Sequence, residues 1–434
     1  MLKKLFCLLV CLLLCAAIPF AAQAEQPELV DYVSQLTFNR NSETVKTEAT
    51  VKTYVDGDTV HFHVDESICN TGVLKARFLA INTPECTGKI EEYGKKAAAF
   101  TKEKLMAAES IILESDDGHW NLDSTGGRYL VWVWYKLPGE TAYRNLNLEI
   151  LQNGLAIASS TANNRYGDIC MKALNQARTA KLNVYSGQQD PDFYYGAAIE
   201  LTLKELRTHL ESYNGIQVAF NGIVSLNSGS SVYVEAFDEE TGLYYGMSVY
   251  YGYGLSGAGL AILTPGNEVR IVGTVQYYAA GDTWQVSGLS YRPIRPKDPS
   301  NIQKLSEGHS PAWVPTTAET FVSQVALPME DGTQTFDYAA LTQSTTLSMD
   351  GLYVTSAYTT MDETSSSYGA MTLNCRSGNE TIFVRTAPLY DGNGQAVTED
   401  LFIGKTIDVK GVVDSYEGQY QIKVFTLNNI TIHD

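Results

Sequence analysis

The order in which apolar periodicity changes over residues 47–187 constrains this chain most. Val51–Val55, Thr59–Val64 and Leu74–Ile81 are rich in β-forming residues and are joined by Asp-Gly and Asn-Thr-Gly turn signals. The period then lengthens. Between Glu92 and Glu109, Tyr93, Ala97, Phe100, Lys104 and Ala108 share one helical face, the lysine stem covering apolar surface. Two more strands are predicted at Ile111–Glu114 and Tyr129–Tyr135, then a helix from about Arg144 stopped by Gly154, and a last helix over Asp168–Leu182. Three strands, a helix and two strands is the order of a five-stranded Greek-key OB barrel. The expected class is therefore mainly β with helices, led by an OB barrel of five strands and three helices.

After Gly187 the pattern changes. A linker over 188–212, with a short helical pattern at Thr202–Leu210, leads to a β-rich domain at 213–293; a proline-containing linker over 294–345 precedes a second β domain at 346–434. The two resemble each other. Val269-Arg270-Ile271-Val272-Gly273-Thr274-Val275 parallels Ile407-Asp408-Val409-Lys410-Gly411-Val412-Val413, and the mid-strand Gly273 and Gly411 suggest a bulge or tight barrel bend. Both are expected to be small OB-like barrels. Tyr244, Tyr245, Tyr250, Tyr251, Tyr253, Tyr277 and Tyr278 could stack single-stranded bases, but β-propensity in half-buried strands is the preferred account of them.

The first residues read as an export signal. Lys3 and Lys4, an apolar run from Leu5 to Phe20 and Ala22-Gln23-Ala24 predict a secretory peptide at 1–24, cleaved after Ala24, with an N-terminal extension at 25–46. No later apolar run is long enough to span a membrane, so the expectation is a soluble, secreted chain. Of the cysteines after the signal, Cys170 falls in register with Ala173, Leu174 and Ala177 and is expected as a core thiol. Charge is uneven: 25–190 carries 17 Lys+Arg against 22 Asp+Glu, whereas 191–434 carries 12 against 27. So acidic a chain cannot meet a polyanion through its whole surface, and any such contact is local.

Two stretches carry the chemistry. Asp56-Gly57-Asp58-Thr59 offers turn carboxylates, and Arg77-Phe78-Leu79-Ala80-Ile81-Asn82-Thr83-Pro84-Glu85 offers a cation on an apolar strand, amide and carbonyl oxygens, and a carboxylate behind a proline. Oxygen ligands, a cation and a base suit metal-assisted phosphodiester cleavage. Arg77 on an apolar strand needs a partner, either an internal carboxylate or a phosphate. Glu114, Asp116, Asp117 and Asp123 are expected as an exposed acidic loop.

These stretches, with Tyr93-Gly94, Ala99-Phe100-Thr101-Lys102, Gly127-Arg128-Tyr129-Leu130, Asn153-Gly154-Leu155-Ala156 and Lys181-Leu182-Asn183-Val184-Tyr185, occur in the order seen in staphylococcal nuclease (thermonuclease) domains, and residues 47–187 resemble that family. The resemblance implies Ca²⁺ held by Asp58, Asn82 and the Thr83 carbonyl. Glu85 would handle the attacking water, and Arg77 and Arg128 would clamp the phosphate. Asn82 stands where the family usually has Asp, which removes one negative charge. Tyrosines that contact nucleotide in the family have no match at Ser159-Ser160-Thr161-Ala162, so Arg165 and Tyr166, with Lys95 and Lys96, are only candidate substrate contacts.

The resulting expectation is a secreted, Ca²⁺-dependent endonuclease acting on DNA, RNA or both, with residues 25–190 sufficient for the chemistry. The C-terminal barrels would bind single-stranded nucleic acid or a cell-surface component. The alternative is an inactive nucleic-acid- or surface-binding protein that uses a nuclease-like barrel.

Overall fold

The computed structural model describes residues 29–252, 255–278, 281–329, 332–362, 365 and 367–433. The expected signal at 1–24 and Tyr253 lie outside them. Strands β1 (Lys46–Tyr54), β2 (Thr59–His63) and β3 (Val73–Phe78) form an antiparallel meander, followed by β4 (Ile81–Asn82), helix α1 (Gly94–Met106), β5 (Ser110–Glu114) and β6 (Tyr129–Lys136). β5 pairs with both β1 and β6, and β6 runs parallel to β3 with Arg77 opposite Leu130. That pairing closes the barrel and leaves no free edge among its five main strands. β7 (Arg144–Asn145), α2 (Leu146–Gln152), β8 (Ile157–Ala158) and α3 (Gly167–Thr179) complete the unit. Phe62, Leu74, Phe78, Trp132, Trp134 and Cys170 are buried in its core.

Three local features differ from the sequence reading. The strand expected to run to Ile81 breaks at Ala80, whose φ is +69°, and Ile81–Asn82 pairs with β8 instead; this break turns Asn82 out of the barrel wall. Helix α1 buries Gly94, Ala97, Thr101 and Leu105 rather than the face of Phe100 and Lys104. The reason is polar: the Thr101 hydroxyl donates to the Gly57 carbonyl (2.6 Å), a contact that apolar periodicity does not register. Glu114 is fully buried, not part of an exposed loop, and accepts from Trp134 Nε1 (2.7 Å), the Thr44 hydroxyl (2.5 Å) and the Tyr166 hydroxyl (3.0 Å). The extension before residue 47 packs here too, with Val33 in the core and the Tyr32 amide donating to Gln152 Oε1 (2.6 Å).

The second barrel follows β9 (Ile199–Glu200) and α4 (Leu203–Thr208). It comprises β10 (Gln217–Asn227), β11 (Ser231–Asp238), β12 (Leu243–Tyr250), α5 (Ala258–Ile262), β13 (Glu268–Tyr278) and β14 (Thr283–Ser287), extended by β15 (Gln303–Ser306) on β13. The stretch expected as a linker over 294–345 is folded: β16 (Val314–Pro315), α6 (Ala318–Phe321), β17 (Gln324–Met329), β18 (Gly332–Asp337) and α7 (Tyr338–Leu341). Its Leu327 and Leu341 enter the second core, and its Phe321 and Ala339 enter the third. Its prolines obscure this in the sequence, because they read as linker punctuation, yet Pro315 and Pro328 lie within β16 and β17. The third barrel comprises β19 (Thr346–Thr359), β20 (Met371–Ser377), β21 (Glu380–Thr386), β22 (Thr406–Tyr416), β23 (Gln419–Val424) and β24 (Ile430–His433).

The three barrels repeat one plan. In each the third and fifth main strands run parallel (β3 with β6, β12 with β14, β21 with β23), and the first pairs with the fourth. In each the first strand shifts register against the second, between Val51 and Thr53, Val224 and Leu226, and Val354 and Ser356, the kind of bulge that bends a strand around a small barrel. Gly273 and Gly411 occupy matching places. A Cβ on either would lie 2.6 Å from a side-chain carbon of the neighbouring strand, Val286 or Ile422, while the register through both is regular, so they serve the tight bend and not a bulge. The second and third barrels meet through the buried Glu235 carboxylate, which accepts from the amides of Ala312 (2.8 Å) and Thr346 (2.7 Å). No helix among the described residues is long and apolar enough to cross a membrane.

Candidate active site

The site starts in the turn between β1 and β2. The amides of Val55 and Asp56 both donate to the Thr59 carbonyl (3.1 Å each), and Asp56 Oδ1 accepts from the Asp58 amide (3.1 Å). This folds the Asp58 side chain inward, where it is 0% exposed. Gly57 permits the packing: a Cβ there would lie 2.8 Å from Thr83 Cγ2 and 2.9 Å from Ala97 Cβ.

Asp58, Arg77, Asn82 and Thr83 are joined directly. Asp58 Oδ2 accepts from the Thr83 amide (2.8 Å), its Oδ1 pairs with Arg77 Nη1, and Arg77 Nη2 donates to Asn82 Oδ1. Of the two partners open to Arg77 in the sequence, the structure contains the internal carboxylate. Arg128 arrives on the adjacent strand end, since Ala76 pairs with Tyr129 in the parallel β3–β6 ladder. Its Nε donates to Asp123 Oδ2 (2.7 Å), and its Nη1 lies 3.5 Å from the Thr59 hydroxyl.

Beyond Pro84, the Glu85 carbonyl accepts from the Glu91 amide (2.9 Å) and the Glu85 amide donates to Glu91 Oε2 (3.2 Å). The loop returns to α1 through Tyr93, held at φ +65° with its amide on the Asp190 carboxylate (2.6 Å). Asp56 stands in the sequence as one of the turn carboxylates without a role of its own, and Glu91 and Asp190 do not stand out there. Asp56 had a visible signal, being in the same turn as Asp58, whereas Glu91 and Asp190 act on main-chain groups that no motif displays.

Charge is out of balance here. Burial first, and then the neighbouring Asp56 carboxylate, push Asp58 up to about 7, with Arg77 opposing. Glu85 is raised by burial and by Asp56, with Arg77 opposing, and further by Glu91, with Arg128 opposing. The Cys86 thiol is pushed up to about 12 by burial and by Asp56, Glu85 and Asp58. Burial is the first cause of all three shifts, and like charge adds to it, since the carboxylates of Asp56, Asp58, Glu85 and Glu91 outnumber the guanidinium groups of Arg77 and Arg128. The described residues hold no group of three or more His, Cys, Asp and Glu able to hold a metal ion, and the neutral oxygen bonded into this cluster is the Asn82 amide, which Arg77 Nη2 reaches. Hard oxygen donors and surplus negative charge fit a Ca²⁺-like cation.

The candidate substrate contacts lie apart from this cluster in their bonding. Lys95 Nζ donates to the Asn214 carbonyl (3.3 Å) and Lys96 Nζ to Asn183 Oδ1 (2.7 Å). Arg165 Nη1 is 3.4 Å from Glu43, and its amide donates to Asp116 (2.9 Å). Tyr166 packs edge-on against Trp132 and Trp134 with its hydroxyl on Glu114, an assignment to the core that its sequence position beside Arg165 did not suggest.

A closed OB barrel with carboxylates and paired arginines gathered at one turn is a nuclease-type domain. Residues 75–187 match the family model described as staphylococcal nuclease homologue, and this part of the chain is a domain of that family. The match takes in Arg77, Asn82, Thr83, Glu85 and Arg128 and begins after the Asp56–Asp58 turn. Metal dependence is typical of the family.

Proposed function

We propose that this protein is a secreted, Ca²⁺-dependent nuclease that hydrolyses phosphodiester bonds of DNA, RNA or both. The observation that supports it most is that the fold brings the buried Asp58 carboxylate onto the Thr83 amide, 25 residues along the chain, with Glu85 two residues further on. In this reading Asp58, Asn82 and the Thr83 carbonyl hold the cation, which when bound offers its charge to the phosphate and to the attacking water. Glu85, its proton affinity raised by burial, takes a proton from that water. Arg77 and Arg128 present planar, permanently charged forks to the phosphate oxygens, whose charge grows in the pentacoordinate transition state. Export follows from the leader at 1–24. The exposed Tyr277 and Tyr278 (44% and 41%) support a role for the second barrel in holding single strands.

The rival reading is a binder without turnover. One observation favours it: the Arg77 guanidinium occupies both Asp58 and Asn82. Incubating the purified full chain with DNA and with RNA, in Ca²⁺ and in chelator, separates the two. Cleavage in Ca²⁺ that stops in chelator supports the nuclease; binding without cleavage under every condition supports the rival.

A further inference from the structure

The loop that follows Glu85 is held from the second barrel. The Gly88 amide donates to Gln276 Oε1 (3.1 Å), and the Gly88 carbonyl accepts from the Ser287 hydroxyl. Gln276 lies on β13 and Ser287 on β14, and both are buried, at 4% and 0% exposure. The Ser287 hydroxyl is also 2.6 Å from Gln276 Oε1; with a single proton, it donates to one acceptor at a time. Gln276 Nε2 is buried without a hydrogen-bond partner. The amide is nevertheless fixed in this orientation, because only its carbonyl end can accept from the Gly88 amide.

Other contacts brace the same loop. Gly88 has φ +70°, and open space lies where a Cβ would point, so it offers only its main chain to the second barrel. Lys95, one residue into α1, reaches the Asn214 carbonyl beside Gly215, where a Cβ would overlap the lysine head. Tyr93 is tied by its amide to Asp190 and by its hydroxyl to the Gln188 carbonyl (3.1 Å). From Glu85 to Lys95 the loop is therefore fixed at three points by residues that follow 187. Near Glu85 the loop also meets its own barrel, where the Cys86 thiol lies 3.6 Å from the Val55 carbonyl, and the remaining pair of bonds is with Glu91, itself a loop residue.

We propose that Gln276 and Ser287 are positioning residues for Glu85: by pinning Gly88, the second barrel holds the loop that carries the Glu85 carboxylate three residues earlier. This rests on the reading of Glu85 as the group that handles water. Loops open locally at low cost unless long-range contacts hold them, and small displacements of a catalytic group are expensive in rate. The chemistry of residues 25–190 is then not independent of the chain that follows them.

The test uses the full chain carrying Ser287→Ala, Gln276→Met or both, with two readouts. Amide hydrogen exchange followed by mass spectrometry should quicken about tenfold or more across 86–91 while β5 and β6 keep their protection, as expected when only a local opening becomes easier. On a short oligonucleotide at saturating Ca²⁺, kcat should fall about tenfold with KM little changed, since the loss is of orientation and not of binding. Should the double variant fail to fold, Ser287→Ala alone, which removes one oxygen, decides the matter. Unchanged exchange across 86–91 overturns the proposal, and so does faster exchange with kcat intact. A parent chain that cleaves neither DNA nor RNA overturns the nuclease reading instead, and the exchange readout then decides whether the second barrel holds the loop.

Discussion

Gly94 lies against Glu85 along the main chain: a Cβ at residue 94 would be 2.7 Å from the Glu85 carbonyl carbon and would overlap its oxygen. The start of α1 thus meets the loop with no room for a side chain. Gly94→Ala must push one or the other away, and the atoms in the path are backbone. The expected cost is about 1–3 kcal/mol of stability, in the range of overpacking, and about a 10²-fold fall in kcat through displacement of Glu85. Urea denaturation and steady-state kinetics on the same preparation check both. Wild-type turnover in Gly94→Ala would show that the position of the Glu85 main chain does not matter to the reaction.

Arg77 is the hub of the cluster, since one guanidinium reaches Asp58 through Nη1 and Asn82 through Nη2. A lysine keeps the charge but cannot span two acceptors in one plane. Arg77→Lys is expected to lose about 10²–10³ in kcat/KM, the scale of removing one transition-state donor. Arg128→Lys is expected to lose a similar amount, about 10²–10³, for the same reason. If either variant is folded and fully active, that arginine is structural and the phosphate has other partners.

The barrel was legible because its signal is periodic. β-forming runs, a helical face and turn residues recur in an order that few folds share, and Gly273 and Gly411 disclose the repeat of the second and third barrels. Contacts that side chains make to main chain left no such trace. Thr101 on the Gly57 carbonyl, Asp190 on the Tyr93 amide and Gln276 on the Gly88 amide join residues 44, 97 and 188 positions apart, and none is announced by its neighbours. Glu114 failed for a related reason. An acidic run reads as solvated, yet its first member faces Thr44, Trp134 and Tyr166, each of which brings a donor.

Metal dependence offers a graded test. Asp58→Ala removes the one carboxylate of the expected ligand set and should abolish turnover or raise the Ca²⁺ requirement sharply. Asn82→Asp restores a negative charge, and because ligand charge count tunes calcium affinity, it should tighten binding by about tenfold. Calorimetry with Ca²⁺ reads this without any substrate. An unchanged affinity would put Asn82 outside the ligand set and leave it as a partner of Arg77 alone.

The pair that aims Arg128 should be visible in acid. Burial acts to raise Asp123, but hydrogen bonds from the Thr125 hydroxyl and from Arg128, with the Arg128 charge, hold it down at about 2 against an ordinary 3.8. A carboxyl whose folded-state value is depressed contributes stability above its unfolded value and loses it as pH falls toward the folded one. The contribution is therefore full above pH 3.8 and fades toward pH 2. Asp123→Asn removes the titrating group. The difference in urea midpoint between parent and variant should hold steady from neutral pH down to about 5, then shrink below the unfolded carboxyl value. A gap that stays constant to pH 2 would mean that Asp123 supports the Arg128 loop by shape and not by charge.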